Sequence, residues 1–191
     1  MYTSVPQQAA PTYAPAPQAP QGQPQAPVPQ AKPKAPAKSK TSREDVGAFI
    51  QEMIAMCAYV KELETQSHLI HLNYESCNFL AVHKFLKGQY EAHLEQFDTL
   101  AEFIRSMDYL LPMCGCGLKD ALPEFNSVKS YDPKGMLGTY YKNLEELANK
   151  AKRLEGIAQK ISAIDIANYM ADLVGQCFKS SWFIKATLRG M

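Results

Sequence analysis

Acidic residues are absent from the first 43 residues of this 191-residue chain, although basic residues are not. The remaining residues contain 15 Lys and Arg against 19 Asp and Glu, so a formal net charge of +1 conceals a tail of +5 on a mildly acidic body. This asymmetry predicts a polyanionic partner for the tail. The basic residues of the tail are Lys32, Lys34, Lys38, Lys40 and Arg43.

Large apolar residues are also scarce in the tail, since residues 1–40 contain no Leu, Ile, Phe or Trp but ten of the 13 prolines. A segment with so little to bury is expected to be disordered, with local polyproline II character. Its last part, AKPKAPAKSK, is similar in composition to the tails of linker histones. We therefore predict sequence-independent binding of nucleic acid through counterion release. The alternative is a solvated linker or a solubilising tail.

Two further features are missing from the sequence. There is no charged and then apolar signal segment, and no apolar run approaches the roughly 18 residues that a membrane span needs. We therefore expect a cytoplasmic, DNA-associated protein without membrane contact. The five cysteines are scattered over the body, which predicts reduced thiols. The pair Cys114-Gly-Cys116 is the exception, because it could bind a soft metal or form a redox pair.

The periodicity of the body, residues 44–191, predicts helices and no strand. A first helix, capped by Thr41 or Ser42, has its apolar positions at alternating spacings of four and three residues. The same stripe turns polar toward its C-terminal end, and such breaks tend to lie at functional sites. The apolar members are Val46, Ile50, Met53, Cys57 and Val60, and the polar members are Glu64, Ser67 and His71.

Three more long helices are predicted. The second runs from about Phe79 to Met107, with its apolar side at Phe79, Leu86, Tyr90, Phe97, Ala101 and Ile104. A long crossover with a short helix near Leu118–Leu122 occupies residues 108–133. The third helix begins near Lys134, and a break at Ser162 leads to the last. Four long helices with the long connection between the second and third are typical of an all-α, ferritin-like bundle.

Potential metal ligands are concentrated in and near the second helix, although the sequence contains no Glu-x-x-His. His83 and Asp98 are 15 residues apart on one helix, or roughly 22 Å at 1.5 Å per residue, so they cannot share an ion within one chain. Asp98 and Glu102 lie about one turn apart. His71 and His83 can meet if the first two helices pack antiparallel. The sequence thus predicts two half-sites per chain, completed when two second helices pack antiparallel about a twofold axis near Glu91 to His93.

The segment HLNYESCNFLAVHKFL…FDTLAEFIR resembles the signature of the Dps family, the DNA-protection proteins of starved cells within the ferritin-like superfamily. The matching residues are His71, His83, Asp98, Ala101 and Glu102, and the ending Asp172 to Leu188 is also similar to the family's last helix. The resemblance covers about residues 44–190. It implies a hollow homododecamer in which iron(II) is oxidised at sites between twofold-related subunits and stored as ferric mineral. It also implies DNA binding and condensation by the basic tails, in protection against oxidative stress.

Two positions depart from the family pattern. Lys87 stands where the family usually has an Asp four residues after the second histidine, and a cation there removes a ligand and repels Fe²⁺. Leu72 stands where a Trp is common. Glu91, one turn beyond Lys87, could pair with it. His68 is interpreted as a surface residue or a residue behind the ligands, and His93 as a subunit-interface residue.

Three functional hypotheses follow from these patterns. The first is a ferroxidase and iron-storage shell that also binds DNA. The second is a non-catalytic shell of the same fold that compacts or packages DNA, and Lys87 favours it. The third is a helical interaction module, which a monomeric native mass would distinguish from both shells. The sequence does not indicate whether peroxide or dioxygen is the oxidant.

Overall fold

The computed structural model describes residues 43–191, and this part of the chain consists of α-helices with no strand. The predicted all-α class is therefore confirmed. The prediction of a disordered tail concerns residues 1–42, which lie outside the described residues. The helices are α1 (Arg43–Asn73), α2 (Phe79–Ser106), α3 (Gly115–Asp120), α4 (Pro133–Lys160) and α5 (Ile164–Arg189).

Two helical hairpins form the bundle. α1 packs against α2, α4 packs against α5, and α1 also contacts α4, while the short α3 lies in the crossover and touches α1. The predicted stripe of α1 is confirmed, because Ile50, Met53, Cys57 and Val60 are fully buried. Each of these side chains contributes roughly 1.5–3 kcal/mol when it leaves water. None of the helices in residues 43–191 is long and apolar enough to cross a bilayer.

The buried side of α2 differs from the prediction. Phe79 is 41% exposed, and Tyr90 and Phe97 are only partly buried. The stripe that faces the core is rotated by about one residue and contains two polar side chains, which is why an apolar pattern did not reveal it. The buried residues of α2 are Val82, Leu86, His93, Gln96, Leu100 and Ile104.

The helix boundaries have local causes. Asp132 caps α4, since its carboxylate accepts a hydrogen bond of 2.6 Å from the backbone N–H of Gly135, and Pro133 follows at the first helical position. The predicted break at Ser162 is confirmed by its positive φ of 64°, and Asp108 after α2 has a φ of 65°. Both residues adopt the left-handed conformation that ends a helix.

A buried amide fastens the crossover to the bundle. The side chain of Asn143, on α4, donates 2.9 Å to the Gln66 side chain of α1 and 2.8 Å to the backbone carbonyl of Asn126. Its own oxygen accepts from the Tyr59 hydroxyl at 3.2 Å and from the Asn126 side chain at 2.9 Å. Because these donors and acceptors are satisfied, a polar residue can lie in the core and fix the path of the crossover.

The cysteines fall into two groups. Cys57, Cys77 and Cys177 are free, as expected for reduced thiols. Cys114 and Cys116 form a disulfide at the start of α3, which agrees with the exception made for this pair as a possible redox pair. The short helix itself begins at Gly115, three residues earlier than the predicted Leu118, because the Cys114 sulfur caps its N-terminus.

Candidate metal centre

The end of α1 and the start of α2 bring two histidines together. A tight connection of five residues reverses the chain, and it is held by a hydrogen bond of 2.7 Å from the Tyr74 hydroxyl to the Asn78 side chain. α1 and α2 therefore run antiparallel, which is the condition for His71 and His83 to meet. The rings of His71 and His83 stack with centroids 3.7 Å apart and an interplanar angle of 21°.

Backbone hydrogen bonds fix the orientation of both rings. Nδ1 of His71 lies 2.8 Å from the carbonyl oxygen of His83, and Nδ1 of His83 lies 3.1 Å from the carbonyl oxygen of His71. A carbonyl oxygen can only accept, so each Nδ1 must carry the proton. In a neutral imidazole this leaves the lone pair on Nε2, which is the form that binds a metal ion.

Aromatic side chains surround the histidine pair. His68 stacks on Tyr90 with centroids 4.2 Å apart, and its ring lies 6.0 Å from that of His71. Phe79 lies 5.0 Å from the His83 ring. His71 is buried, His83 is half-buried and His68 is exposed. The interpretation of His68 as a surface residue behind the pair agrees with this placement.

Lys87 lies one turn beyond His83 and is neutralised locally. Its ammonium group forms an ion pair with Glu91, as the sequence suggested, and lies 5.8 Å from the Tyr90 ring centre. Both members of the pair are about half exposed, at 53% each. Solvent therefore screens the pair, and the lysine side chain is free to reorient at little cost.

Asp98 and Glu102 form the second group of candidate ligands. Both carboxylates lie exposed near the C-terminal end of α2, one turn apart. The helical rise of 1.5 Å per residue puts Asp98 roughly 22 Å and Glu102 roughly 28 Å from His83 along α2. Accordingly, residues 43–191 of a single chain contain no group of three or more His, Cys, Asp or Glu side chains that could hold a metal ion.

His93 is a core residue, so its interpretation as a subunit-interface residue is wrong. It is only 2% exposed, and its ring bonds the Gln96 side chain at 2.8 Å and the Tyr140 hydroxyl at 2.7 Å. Burial disfavours the charged ring and lowers the pKa of His93 to about 4, although the hydrogen bond with Gln96 and the charge of Glu64 act in the opposite direction. The sequence signal was available, because His93 continues the spacing from Leu86 to Leu100.

The proposed DNA-binding residues lie almost entirely outside the described part of the chain. Lys32, Lys34, Lys38 and Lys40 are not described, and their role stays a prediction. Arg43 is the first residue of α1 and is exposed.

The bundle with a long crossover and a short helix within it defines the ferritin-like class of protein. A family model described as a ferritin-like domain matches residues 60–191. The chain belongs to this ferritin-like family. Comparison with curated protein sequences found no match.

Solved structures with the same fold are mostly Dps proteins. The antigen TpF1 from Treponema pallidum is 18% identical, with a TM-score of 0.73 over 80% of this chain and 98% of the other. Dps from Thermosynechococcus elongatus is 18% identical, with a TM-score of 0.72 over 76% and 92%. Dps from Vibrio cholerae, described as one of the ferritin-like diiron-carboxylate proteins, is 16% identical, with a TM-score of 0.70 over 76% and 91%. The structural similarity establishes a shared fold, and identities this low establish nothing beyond it.

Proposed function

We propose that this protein is a Dps-like ferroxidase and iron-storage protein that assembles into a hollow homododecamer. The observation that carries the proposal is the stacked pair of His71 and His83, in which both Nδ1 atoms are held by backbone carbonyls. Such an arrangement presents two Nε2 lone pairs, and imidazole nitrogen is a suitable ligand for iron. Iron is the substrate and the stored product of the proposed reaction.

A second subunit would complete each site. The histidine pair and the carboxylates of Asp98 and Glu102 lie at opposite ends of α2, on one chain. If two α2 helices pack antiparallel about a twofold axis near Glu91, the carboxylates of one subunit meet the histidines of the other. An isologous dimer of this kind creates two identical sites. The carboxylates would supply the negative charge that Fe²⁺ and Fe³⁺ favour.

Iron oxidation by the full-length protein tests the ferroxidase. Formation of ferric product is followed by absorbance after Fe²⁺ and peroxide, or Fe²⁺ and dioxygen, are added, and the buffer rate is subtracted. We expect acceleration by the wild type and loss of most of it in His83→Ala. Asp172→Asn, an exposed carboxylate on α5, is the matched control and should retain the wild-type rate. A wild type no faster than buffer would remove the enzyme hypothesis.

The second candidate function is a non-catalytic shell that compacts DNA, and the observation that favours it is Lys87, which stands one turn from His83 and occupies the carboxylate of Glu91 in an ion pair. An ammonium group one turn from His83 raises the electrostatic cost of binding a cation there. In this case iron would be neither oxidised nor retained, while the oligomer and its DNA binding would persist. Iron content of the purified oligomer distinguishes the two candidates.

DNA binding by the tail is the remaining part of the proposal. Several copies of a +5 tail on one oligomer would bind a polyanion with high avidity. A gel shift at several salt concentrations compares the wild type with a variant in which the four tail lysines become Gln. We expect weaker binding and a smaller salt dependence in that variant. The control changes four exposed body lysines to Gln, namely Lys119, Lys129, Lys134 and Lys142.

Equal affinity of the wild type and the tail variant would overturn this role. A loss of affinity in the body variant as large as that in the tail variant would show that the tail is not the specific site. We expect the body variant to bind as the wild type does.

A further inference from the structure

The disulfide between Cys114 and Cys116 lies on the surface of the crossover. Met113 is 97% exposed, and the side chains of both cysteines are exposed as well. Only Gly115 separates the two cysteines, so the bond closes a very small loop. A small thiol therefore has open access to either sulfur.

The other cysteines contrast with this pair. Cys57 and Cys177 are buried in the core, and burial raises the pKa of both thiols to about 12. A thiol with so high a pKa is almost entirely un-ionised at neutral pH, and the thiolate is the nucleophile. Cys77 is exposed but has no second cysteine beside it. The two sulfurs of the crossover are therefore the ones suited to a two-electron exchange.

A structural role explains the disulfide poorly. A disulfide stabilises a fold mainly because it lowers the conformational entropy of the unfolded chain, and this effect grows with the length of the loop that the bond closes. The loop between Cys114 and Cys116 has a single intervening residue, so the effect is small. The crossover is already fastened to the bundle by the hydrogen bonds of Asn126 with Asn143. Half-buried Leu118 and Leu122 also pack against the core. Reduction should therefore leave the fold intact.

We propose that Cys114 and Cys116 form a redox-active disulfide that exchanges with small thiols of the glutathione class, an activity that goes beyond the proposed iron chemistry. The thiolate of one small thiol attacks a protein sulfur, so a mixed disulfide forms and the Cys114–Cys116 bond breaks. A second small thiol then attacks the mixed disulfide and releases the second protein thiol. Two small thiols are thereby oxidised to their disulfide, and their two protons end on Cys114 and Cys116.

The geometry also assigns the direction of attack. The backbone N–H of Gly117 donates to the sulfur of Cys114 at 3.2 Å. This hydrogen bond stabilises negative charge on Cys114 when the bond between the sulfurs breaks. A sulfur whose thiolate is stabilised leaves faster. The incoming thiolate should therefore attack Cys116 and release Cys114.

Redox titration of the native, full-length protein tests this proposal. The protein is equilibrated without oxygen in buffers of varied ratio of reduced to oxidised glutathione, quenched with acid and alkylated. Mass spectrometry of the peptides then reports each cysteine. We expect Cys114 and Cys116 to become labelled together in one complete transition, while the circular dichroism spectrum stays unchanged and Cys57 and Cys177 stay protected until the protein is denatured.

Two outcomes would overturn the proposal. Labelling of Cys114 and Cys116 only after denaturation would show a structural bond, and free thiols in the most oxidising buffer would show that no bond forms.

Single variants test the direction of attack. With oxidised glutathione, Cys114→Ser should retain a mixed disulfide at Cys116 that resists small thiols, whereas the mixed disulfide at Cys114 in Cys116→Ser should be reduced several-fold faster. Equal rates would contradict the assigned direction.

The double variant separates this activity from the iron chemistry. In Cys114→Ser/Cys116→Ser, exchange with glutathione cannot occur at the crossover, because both sulfurs are absent. We expect iron oxidation to proceed at the wild-type rate, because neither cysteine belongs to the candidate metal centre. A parallel loss of iron oxidation would contradict the independence of the two activities.

Discussion

His71 and His83 each direct Nδ1 at the backbone carbonyl oxygen of the other, at 2.8 Å and 3.1 Å, while their rings stack. This reciprocal arrangement ties the last turn of α1 to the first turns of α2. It also selects one tautomer for both rings, so Nε2 is the nitrogen on which each neutral histidine carries its lone pair. The backbone performs the role that a carboxylate often performs behind a metal-binding histidine.

Sharing of the site between subunits can be tested by complementation. One chain carries His71→Ala and His83→Ala, the other carries Asp98→Asn and Glu102→Gln, and each alone should be inactive in iron oxidation. Random co-assembly makes half of the dimers mixed, and each mixed dimer regains one of its two sites. The mixture should therefore recover about a quarter of the wild-type rate.

The control mixes the two variants after assembly, without exchange of subunits, and should stay inactive. Absence of recovery in co-assembled shells of normal native mass would contradict a site divided across a twofold axis.

Lys87→Asp should increase the affinity for Fe²⁺ and the rate of iron oxidation. The substitution removes an ammonium group one turn from His83 and releases Glu91 from its ion pair, so two carboxylates replace a neutralised pair. At an effective dielectric constant near 20, a change of charge one helical turn from the bound ion alters the free energy of Fe²⁺ binding by about 1–3 kcal/mol. This corresponds to a change in affinity of roughly 5- to 150-fold. Iron-binding titrations and initial rates measure the effect.

Lys84→Asp is the matched control, since Lys84 is also an exposed lysine of α2 but follows His83 directly and points about 100° away from it around the helix, whereas Lys87 shares the face of His83. An equal gain in both variants would indicate a general effect of charge. No gain in Lys87→Asp would indicate that this position lies outside the site.

Much of the fold was predictable because apolar side chains recur with helical period, and the stripe from Ile50 to Val60 is buried as expected. The polar end of that stripe pointed to His71, whose role in metal binding stays a prediction. The buried side of α2 was not predictable in the same way, because His93 and Gln96 occupy core positions through hydrogen bonds rather than through hydrophobicity. The spacing of Cys114 and Cys116 left a soft-metal site and a redox pair open, because composition indicates the redox environment of a chain and not the distance between two sulfurs.

Asn143→Leu should destabilise the crossover without affecting the histidine pair. Removing the amide takes one hydrogen bond from each of the Tyr59 hydroxyl, the Gln66 side-chain oxygen and the Asn126 backbone carbonyl. The carbonyl still accepts from the Gln66 amide at 2.8 Å, and the hydroxyl can still donate to the backbone carbonyl of residue 143 at 3.3 Å. A buried group left unsatisfied costs about 1–3 kcal/mol and each other lost hydrogen bond about 1 kcal/mol, so the free energy of unfolding should fall by roughly 2–5 kcal/mol. Urea unfolding at fixed protein concentration measures the loss, and Asn149→Leu, an exposed site on the same helix, is the control. A loss equal in the two variants would contradict the anchoring role.

Acid should destabilise the protein through His93. The unfolded chain binds a proton to this ring below about pH 6.5, but the folded chain does so only near pH 4, because burial disfavours the imidazolium. Between these values the unfolded state holds more protons, so the free energy of unfolding decreases as the pH falls, by roughly 3 kcal/mol in total. The stabilisation that comes from the neutral, buried His93 is fully present above pH 6.5.

In His93→Gln the amide can still bond Gln96 and Tyr140, so the fold should be kept while this part of the pH dependence disappears. Urea midpoints at several pH values between 7 and 4 compare the wild type, His93→Gln and the exposed-histidine control His68→Gln. If His93→Gln loses stability with acid as steeply as the wild type, another group is responsible.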